Sequence, residues 1–177
     1  MVRAMRIVGL DPALASLGHA ALWVNPEDAA DVELVEYCTL ETPPHRPEGE
    51  RLLLIRRWLE SFLESRRPTI VVLERPMFRG HLAYNSLPLG MAYGVIAVVC
   101  EAAGLRTQEY APNTVKLLAC GKGLGNASKR QVRAAMRARF DAKLKGKDDG
   151  IDAIAIALAH AKRLEEDAPV IWRTTHA

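Results

Sequence analysis

At 177 residues, 49% of them hydrophobic, the chain can bury one sizeable core and is short for two ordinary domains, so one domain over 1–177 is expected. A formal charge of +3 names no partner by itself, and the distribution of charge must carry that question. No stretch is apolar for long enough to span a membrane, the opening MVRAMRIVGLD lacks the apolar run of a secretion signal, and Cys38, Cys100 and Cys120 show neither CxxC nor Cys/His spacing; a soluble cytoplasmic protein with reduced, packed thiols and no membrane partner is expected.

The first element is an apolar run over 5–11 that stops at Asp11-Pro12, followed by a second run after Gly18. A strand that ends on a carboxylate and returns as its own neighbour leaves Asp11 at the sheet edge, where ligands and metals collect in α/β folds. Asp-Pro is also an ordinary turn pair, and both readings stand at this point. Residues 32–40 (VELVEYCTL) alternate apolar and polar, which predicts a third strand of an antiparallel meander. After the turn-rich TPPHRP, Leu52, Ile55, Leu59, Phe62 and Leu63 recur at helical spacing, with Arg51, Arg56, Arg57 and Glu60 on the solvated side. Pro68 ends this helix, and residues 69–73 (TIVVL) form a buried strand that ends on Glu74. A crossover helix is what parallel neighbours require, so the two strands are expected side by side with Asp11 and Glu74 at the same end.

The loop over 75–85 (RPMFRGHLAYN) mixes Arg75, Arg79 and His81 with Phe78 and Tyr84. Cations interleaved with aromatics suit phosphates and stacked bases. Met77 and Phe78 are equally suited to the core. Ser86 and Pro88 predict a helix start, and the helix over 86–103 is apolar almost all round before Gly104 ends it. Such a helix needs cover on both sides, and Gly90 and Gly94 allow close approach, so a homodimer through this helix is expected. Residues 105–109 (LRTQE) read as an edge strand.

From 111 to 140 the chain carries Lys116, Lys122, Lys129, Arg130, Arg133, Arg137 and Arg139 with no acidic residue. One sign of charge over two short helices and a glycine-rich loop is the footprint of a polyanion site. The loop GKGLGN is not a P-loop, since it lacks the Lys-Ser/Thr ending. Residues 145–161 (KGKDDGIDAIAIALAHA) then open an apolar helix on carboxylates. Asp149 and Asp152 are three apart and share a face. Capping explains Asp148 or Asp149, but Asp152 lies between Ile151 and Ile154, where a carboxylate is costly unless paired or bound to a metal. The tail from 168 has no periodicity; it is either disordered or laid across a partner.

Asp11, Glu74, Asp149 and Asp152 converging would repel one another unless cations offset them. Two divalent ions about 3.5 to 4 Å apart suit in-line displacement at phosphorus. Lys129 is the lysine expected closest to the chemistry, on the scissile phosphate of a nucleic acid.

Asp11-Pro12 after a strand, Glu74 ending another, Leu89-Gly90 with Gly94, Val115-Lys116, Ser128-Lys129 before Gln131-Val132, and Asp149-x-x-Asp152-Ala-x-Ala-Ile-Ala together resemble the bacterial and phage RuvC Holliday junction resolvases over about 6–162. The resemblance implies an α/β, ribonuclease H-like fold with a mixed five-stranded sheet flanked by helices on both faces. It also implies a homodimer acting on branched DNA, the four-way junction, by paired nicking with Mg2+ or Mn2+. Asp11, Glu74, Asp149 and Asp152 then take the metal-ligand positions, and Lys116 and Lys129 the basic positions near them. Arg75, Phe78, Arg79, Lys122 and Arg130 are the further nucleic-acid contacts expected. Ala13 and Leu17 stand where the family usually has Gly and Thr, and the loops after Glu74 and before Lys129 look longer. These departures mark a divergent member and leave a phage origin open. An actin- or sugar-kinase-type ATPase would need two large domains. A ribonuclease H-like nuclease for RNA/DNA hybrid or other branched DNA, and a non-catalytic binding module, remain the alternatives.

Overall fold

A computed structural model of the chain describes residues 4–25, 27–76, 83–121, 123–140, 144–145 and 147–167. Met77, Phe78, Arg79, His81, Lys122, the Tyr84 side chain and the tail from 168 lie outside the described residues. The elements run β1 (Met5–Asp11), β2 (Ser16–Asn25), β3 (Asp28–Glu41), α1 (Glu48–Arg66), β4 (Ile70–Glu74), α2 (Ala83–Ala102), β5 (Thr107–Tyr110), α3 (Pro112–Cys120), α4 (Lys129–Phe140) and α5 (Asp148–Asp167).

The five strands form one sheet in the order β3-β2-β1-β4-β5. β1, β2 and β3 make the antiparallel meander, while β4 and β5 join in parallel, each after a crossover helix. The sheet is therefore mixed, as expected, and its two faces build separate cores. On one, Val8, Leu10, Leu17, Val71 and Leu73 pack with Ile55, Leu59 and Leu63 of α1 and Ala92 and Ile96 of α2. On the other, Ile7, Ala20, Leu22 and Val72 pack beneath α5, which α3 and α4 cover in turn through Val115, Leu118, Val132 and Met136. From Gly150 to Ala161, α5 is buried at every residue except Asp152, so its small residues serve two contact surfaces.

Some boundaries differ from the sequence reading. β3 is longer than 32–40, because its hairpin with β2 continues almost to the turn at both ends. β5 begins two residues later than the 105–109 run and ends one later, its ladder with β4 opening at Val71 and Thr107. α2 begins at Ala83, so Pro88 is inside the helix and Ser86 does not open it. Pro88, the sixth residue of α2, lacks the N–H that would bond to the carbonyl four residues back, a single loss taken near the start of a long helix. Gly104 ends α2 as expected, with φ +63 and its N–H donating to Glu101 O at 3.0 Å. Of the cysteines, all free, Cys100 is buried and Cys120 half-buried, but Cys38 is exposed on β3 and is not a packed thiol. None of the described helices is long and apolar enough to cross a membrane.

Candidate active site

Strand alternation decides which way the first two carboxylates face. Val8 and Leu10 of β1 sit in the α1/α2 core while Ile7 sits under α5, so Asp11 continues on the α5 side. Along β4, Val71 and Leu73 likewise face α1 and α2 and Val72 faces α5, which sends Glu74 to the α5 side. The parallel register pairs Leu10 with Leu73, making Asp11 and Glu74 the next neighbours at the carboxyl ends of their strands. The turn after Asp11 is held from outside. Thr42 donates through Oγ1 to Leu14 O (2.6 Å) and through its N–H to Ala15 O (3.0 Å), and Arg51 Nε donates to Thr42 Oγ1 at 2.8 Å.

Helix α5 reaches these two acids because glycines let it lie against the strands. A Cβ on Gly9 would stand 2.3 Å from Ala153 O, one on Gly18 2.0 Å from Asp149 O, and one on Gly150 2.9 Å from Cys38 O. Gly18 is the partner of Asp11 across the β1–β2 ladder. The start of α5 therefore rests on the strand position beside Asp11, which brings Asp149 and Asp152 to it. The signal was available in the sequence as glycine inside a strand, which marks close backbone approach, but it names no partner.

Lys129 arrives from α4. Ser128 and Gln131 form a reciprocal cap: the Ser128 N–H and hydroxyl both donate to Gln131 Oε1 at 2.9 Å, and the Gln131 N–H donates to Ser128 Oγ at 3.3 Å. This fixes the first turn of α4 and with it Lys129, whose Nζ stands 3.4 Å from Asp152 Oδ2.

The four carboxylates are electrostatically coupled. Burial, then repulsion from Asp152, Glu74 and Asp149, pushes Asp11 up to about 8, against the opposing pull of Lys129. Glu74 is raised by burial and then by Asp152, while Lys116 and Lys129 draw it down. Asp152 is raised by burial, opposed by Lys129 and reinforced by Asp148 and Asp149. Burial alone would lower Lys129, but Asp152, Asp149 and Asp11 outweigh it and leave the ammonium above its usual range. Carboxyl groups raised above their usual range by burial and mutual repulsion invite a cation. Among the described residues, no three acidic, thiol or imidazole side chains stand close enough to enclose an ion as they lie. In kind, however, an all-carboxylate, mutually repelling donor set fits a hard divalent ion.

The structure thus brings together Asp11, Glu74, Asp149, Asp152, Lys116 and Lys129. Arg130 is exposed beside Lys129 on α4. Arg75 follows Glu74 but turns to the opposite face, where its Nε donates to Glu109 Oε2 at 3.3 Å. Part of the one-sign basic segment has structural work instead of facing a polyanion. Arg133 pairs with Asp148, Arg137 Nη2 donates to Leu144 O (3.2 Å), and Arg139 Nη2 donates to Ala30 O (2.6 Å). Sequence reading missed these pairings because each joins α4 to a residue outside the helix, a contact that helical periodicity does not encode.

The sequence model described as "Crossover junction endodeoxyribonuclease RuvC" matches residues 7–160. A protein of that description from Chloroflexus aggregans is 34% identical over 158 residues, covering 89% of this chain and 93% of its own length. The solved structure of Thermus thermophilus RuvC superposes with a TM-score of 0.78 at 30% identity, covering 92% of this chain and 96% of that one. The same protein in complex with a Holliday junction substrate gives a TM-score of 0.79, also at 30% identity and with the same coverage. The match spans the meander, both carboxylate strands and α5 as far as His160, and so includes every element that forms the site. The chain belongs to the RuvC family of crossover junction endodeoxyribonucleases.

Proposed function

We propose that this chain resolves four-way DNA junctions by paired, metal-dependent hydrolysis of phosphodiester bonds. The observation that carries the reading is the coupling of four carboxylates from β1, β4 and α5 beside Lys129. Metal dependence is what the family resemblance implies, and the carboxylate set fits it. We take two Mg2+ or Mn2+ ions per site, held by Asp11, Glu74, Asp149 and Asp152. When bound, such ions supply an activated water and stabilise the leaving oxygen.

The chain's own residues do the rest. Asp11 and Glu74, fixed at neighbouring strand ends, supply charge that does not reorganise during the reaction. Lys129, held by its capped helix turn, balances the site without substrate and moves its charge toward the phosphate as negative charge develops there. Lys116, near enough to Glu74 to draw its proton affinity down, lies on the same side. Arg75, Phe78, Arg79, Lys122 and Arg130 complete the proposed DNA contact. Two such sites act on opposite strands in a homodimer formed through α2, whose outer face exposes Leu87 and Val98 at 56% and 69%. The reaction belongs to the cytoplasm, where a bacterial or phage junction would be met.

The test is incubation with a mobile four-way junction, linear duplex and RNA/DNA hybrid, with magnesium or EDTA. Symmetric nicks confined to the junction and lost in EDTA are expected. Preferential cutting of the hybrid would overturn the reading.

A further inference from the structure

Arg75 and the two residues that hold it lie on the sheet face opposite the carboxylates. Register pairs Leu73 with Glu109 and Glu74 with Tyr110, so Glu109 faces the α2 side while Tyr110 faces α5. There the Tyr93 hydroxyl of α2 donates to Glu109 Oε1, and the other carboxylate oxygen accepts from Arg75 Nε. Burial and then the bond to Glu109 keep the Tyr93 hydroxyl protonated, a constant donor. The backbone is held too, since the Arg75 N–H donates to Tyr110 O at 2.8 Å and extends the β4–β5 ladder by one step.

The consequence is a guanidinium gripped by one edge. Arg75 uses Nε on Glu109, its side chain remains 61% exposed, and among the described residues its terminal nitrogens have no bonded partner, which leaves them as donors. An arginine oriented by a carboxylate at Nε, with its other edge turned to solvent, is prepared for a bidentate bond to a phosphate and loses less rotamer freedom on making it. Glu74 precedes it in the chain, so although the two side chains face opposite sides of the sheet, a phosphate bound at Arg75 would lie at the same carboxyl end of the sheet as the site.

We propose that Glu109, steadied by Tyr93, is a positioning residue that presents Arg75 to a DNA backbone phosphate next to the cleavage site. The inference rests on the junction-nuclease reading. It assigns Glu109 a favourable role in binding despite its negative charge, which by itself would repel DNA.

The experiment measures junction binding in EDTA across a salt series, and cleavage in magnesium, for the full chain and for Arg75→Ala, Glu109→Ala, Glu109→Gln, Tyr93→Phe and the Arg75→Ala/Glu109→Ala pair. Arg75→Ala is expected to weaken binding about tenfold and to reduce the salt slope by about one, the loss of one phosphate contact. Glu109→Ala should weaken binding about three- to tenfold, expressed in KM and not in kcat, with Glu109→Gln restoring most of it because its amide oxygen still accepts. Tyr93→Phe should show a smaller loss of the same kind. In the Arg75→Ala background, Glu109→Ala should add nothing. Tighter binding by Glu109→Ala would overturn the proposal, showing Glu109 to be a competitor for Arg75. Additive losses in the double variant would also overturn it. A chain that neither binds nor cuts junctions defeats the nuclease reading itself. A chain that binds and cuts while Arg75→Ala behaves as the parent defeats only this inference.

Discussion

The carbonyl oxygen of Asp149 lies 2.0 Å from the point where a Cβ on Gly18 would stand, and Gly18 is the ladder partner of Asp11. The first turn of α5 is thus seated on a strand position that must carry no side chain. Gly18→Ala has to push α5 off the sheet or bend β2, and overpacking of this kind costs about 1–3 kcal/mol. We expect a lowered denaturation midpoint together with loss of most junction cleavage, since Asp149 and Asp152 move with the helix. Full cleavage by a folded Gly18→Ala protein would show that the site tolerates this displacement.

The proton affinity of the site sets a pH dependence for the metal-free protein. Asp11 is raised from 3.8 to about 8, and Glu74 and Asp152 are raised as well. The folded chain therefore holds protons that the unfolded chain has released. Stability is fully present below the unfolded value and is lost as pH rises through about 8. Denaturant titrations in EDTA between pH 5 and 8.5 should show this decline, and millimolar magnesium or Asp11→Asn should flatten it. Rising stability with pH in EDTA would contradict the coupling.

Asp152 stands 3.4 Å from Lys129 and repels Asp11 and Glu74. Asp152→Asn removes a proposed metal ligand while relieving that repulsion. Junction binding within about threefold of the parent and a cleavage rate lower by roughly a thousandfold are expected, on the scale of losing a preorganised electrostatic element. Loss of binding with an intact fold, read by gel shift and circular dichroism, would remove Asp152 from the ligand set.

The Ser128–Gln131 cap holds Lys129 in place. Ser128→Ala should destabilise by about 0.5–2 kcal/mol, the usual range for an N-cap. It should also slow cleavage more than it weakens binding, because Lys129 acts on the developing charge. Denaturation and single-turnover kinetics measure the two effects, and an unchanged rate would detach the cap from the chemistry.

A Cβ on Gly94 would meet nothing within 4 Å, so Gly94→Trp can be accommodated by the isolated fold. If α2 joins two copies, this substitution should yield folded monomers by light scattering. A persisting dimer would move the interface elsewhere.

Much of this architecture is legible in the amino-acid sequence. The alternation in β1 and β4, the helical spacing in α1, and two apolar strands that each stop on a carboxylate follow from local periodicity, because burial on one face repeats every two or three to four residues. With a crossover helix between the two strands, Asp11 and Glu74 had to meet at one end of the sheet. Chain chemistry alone also singled out Asp152 as too costly on an apolar face to lack a partner. Tertiary structure decided what periodicity cannot encode. Which arginines of the basic segment were taken by Asp148, Leu144 and Ala30, and that Arg75 would meet Glu109, depended on packing between elements that no local periodicity pairs. The same holds for Gly18: its sequence neighbourhood marks a strand, but only the packing of α5 makes its missing side chain necessary. Local pattern determines which way a side chain points, and the packing of one element on another determines what it meets there.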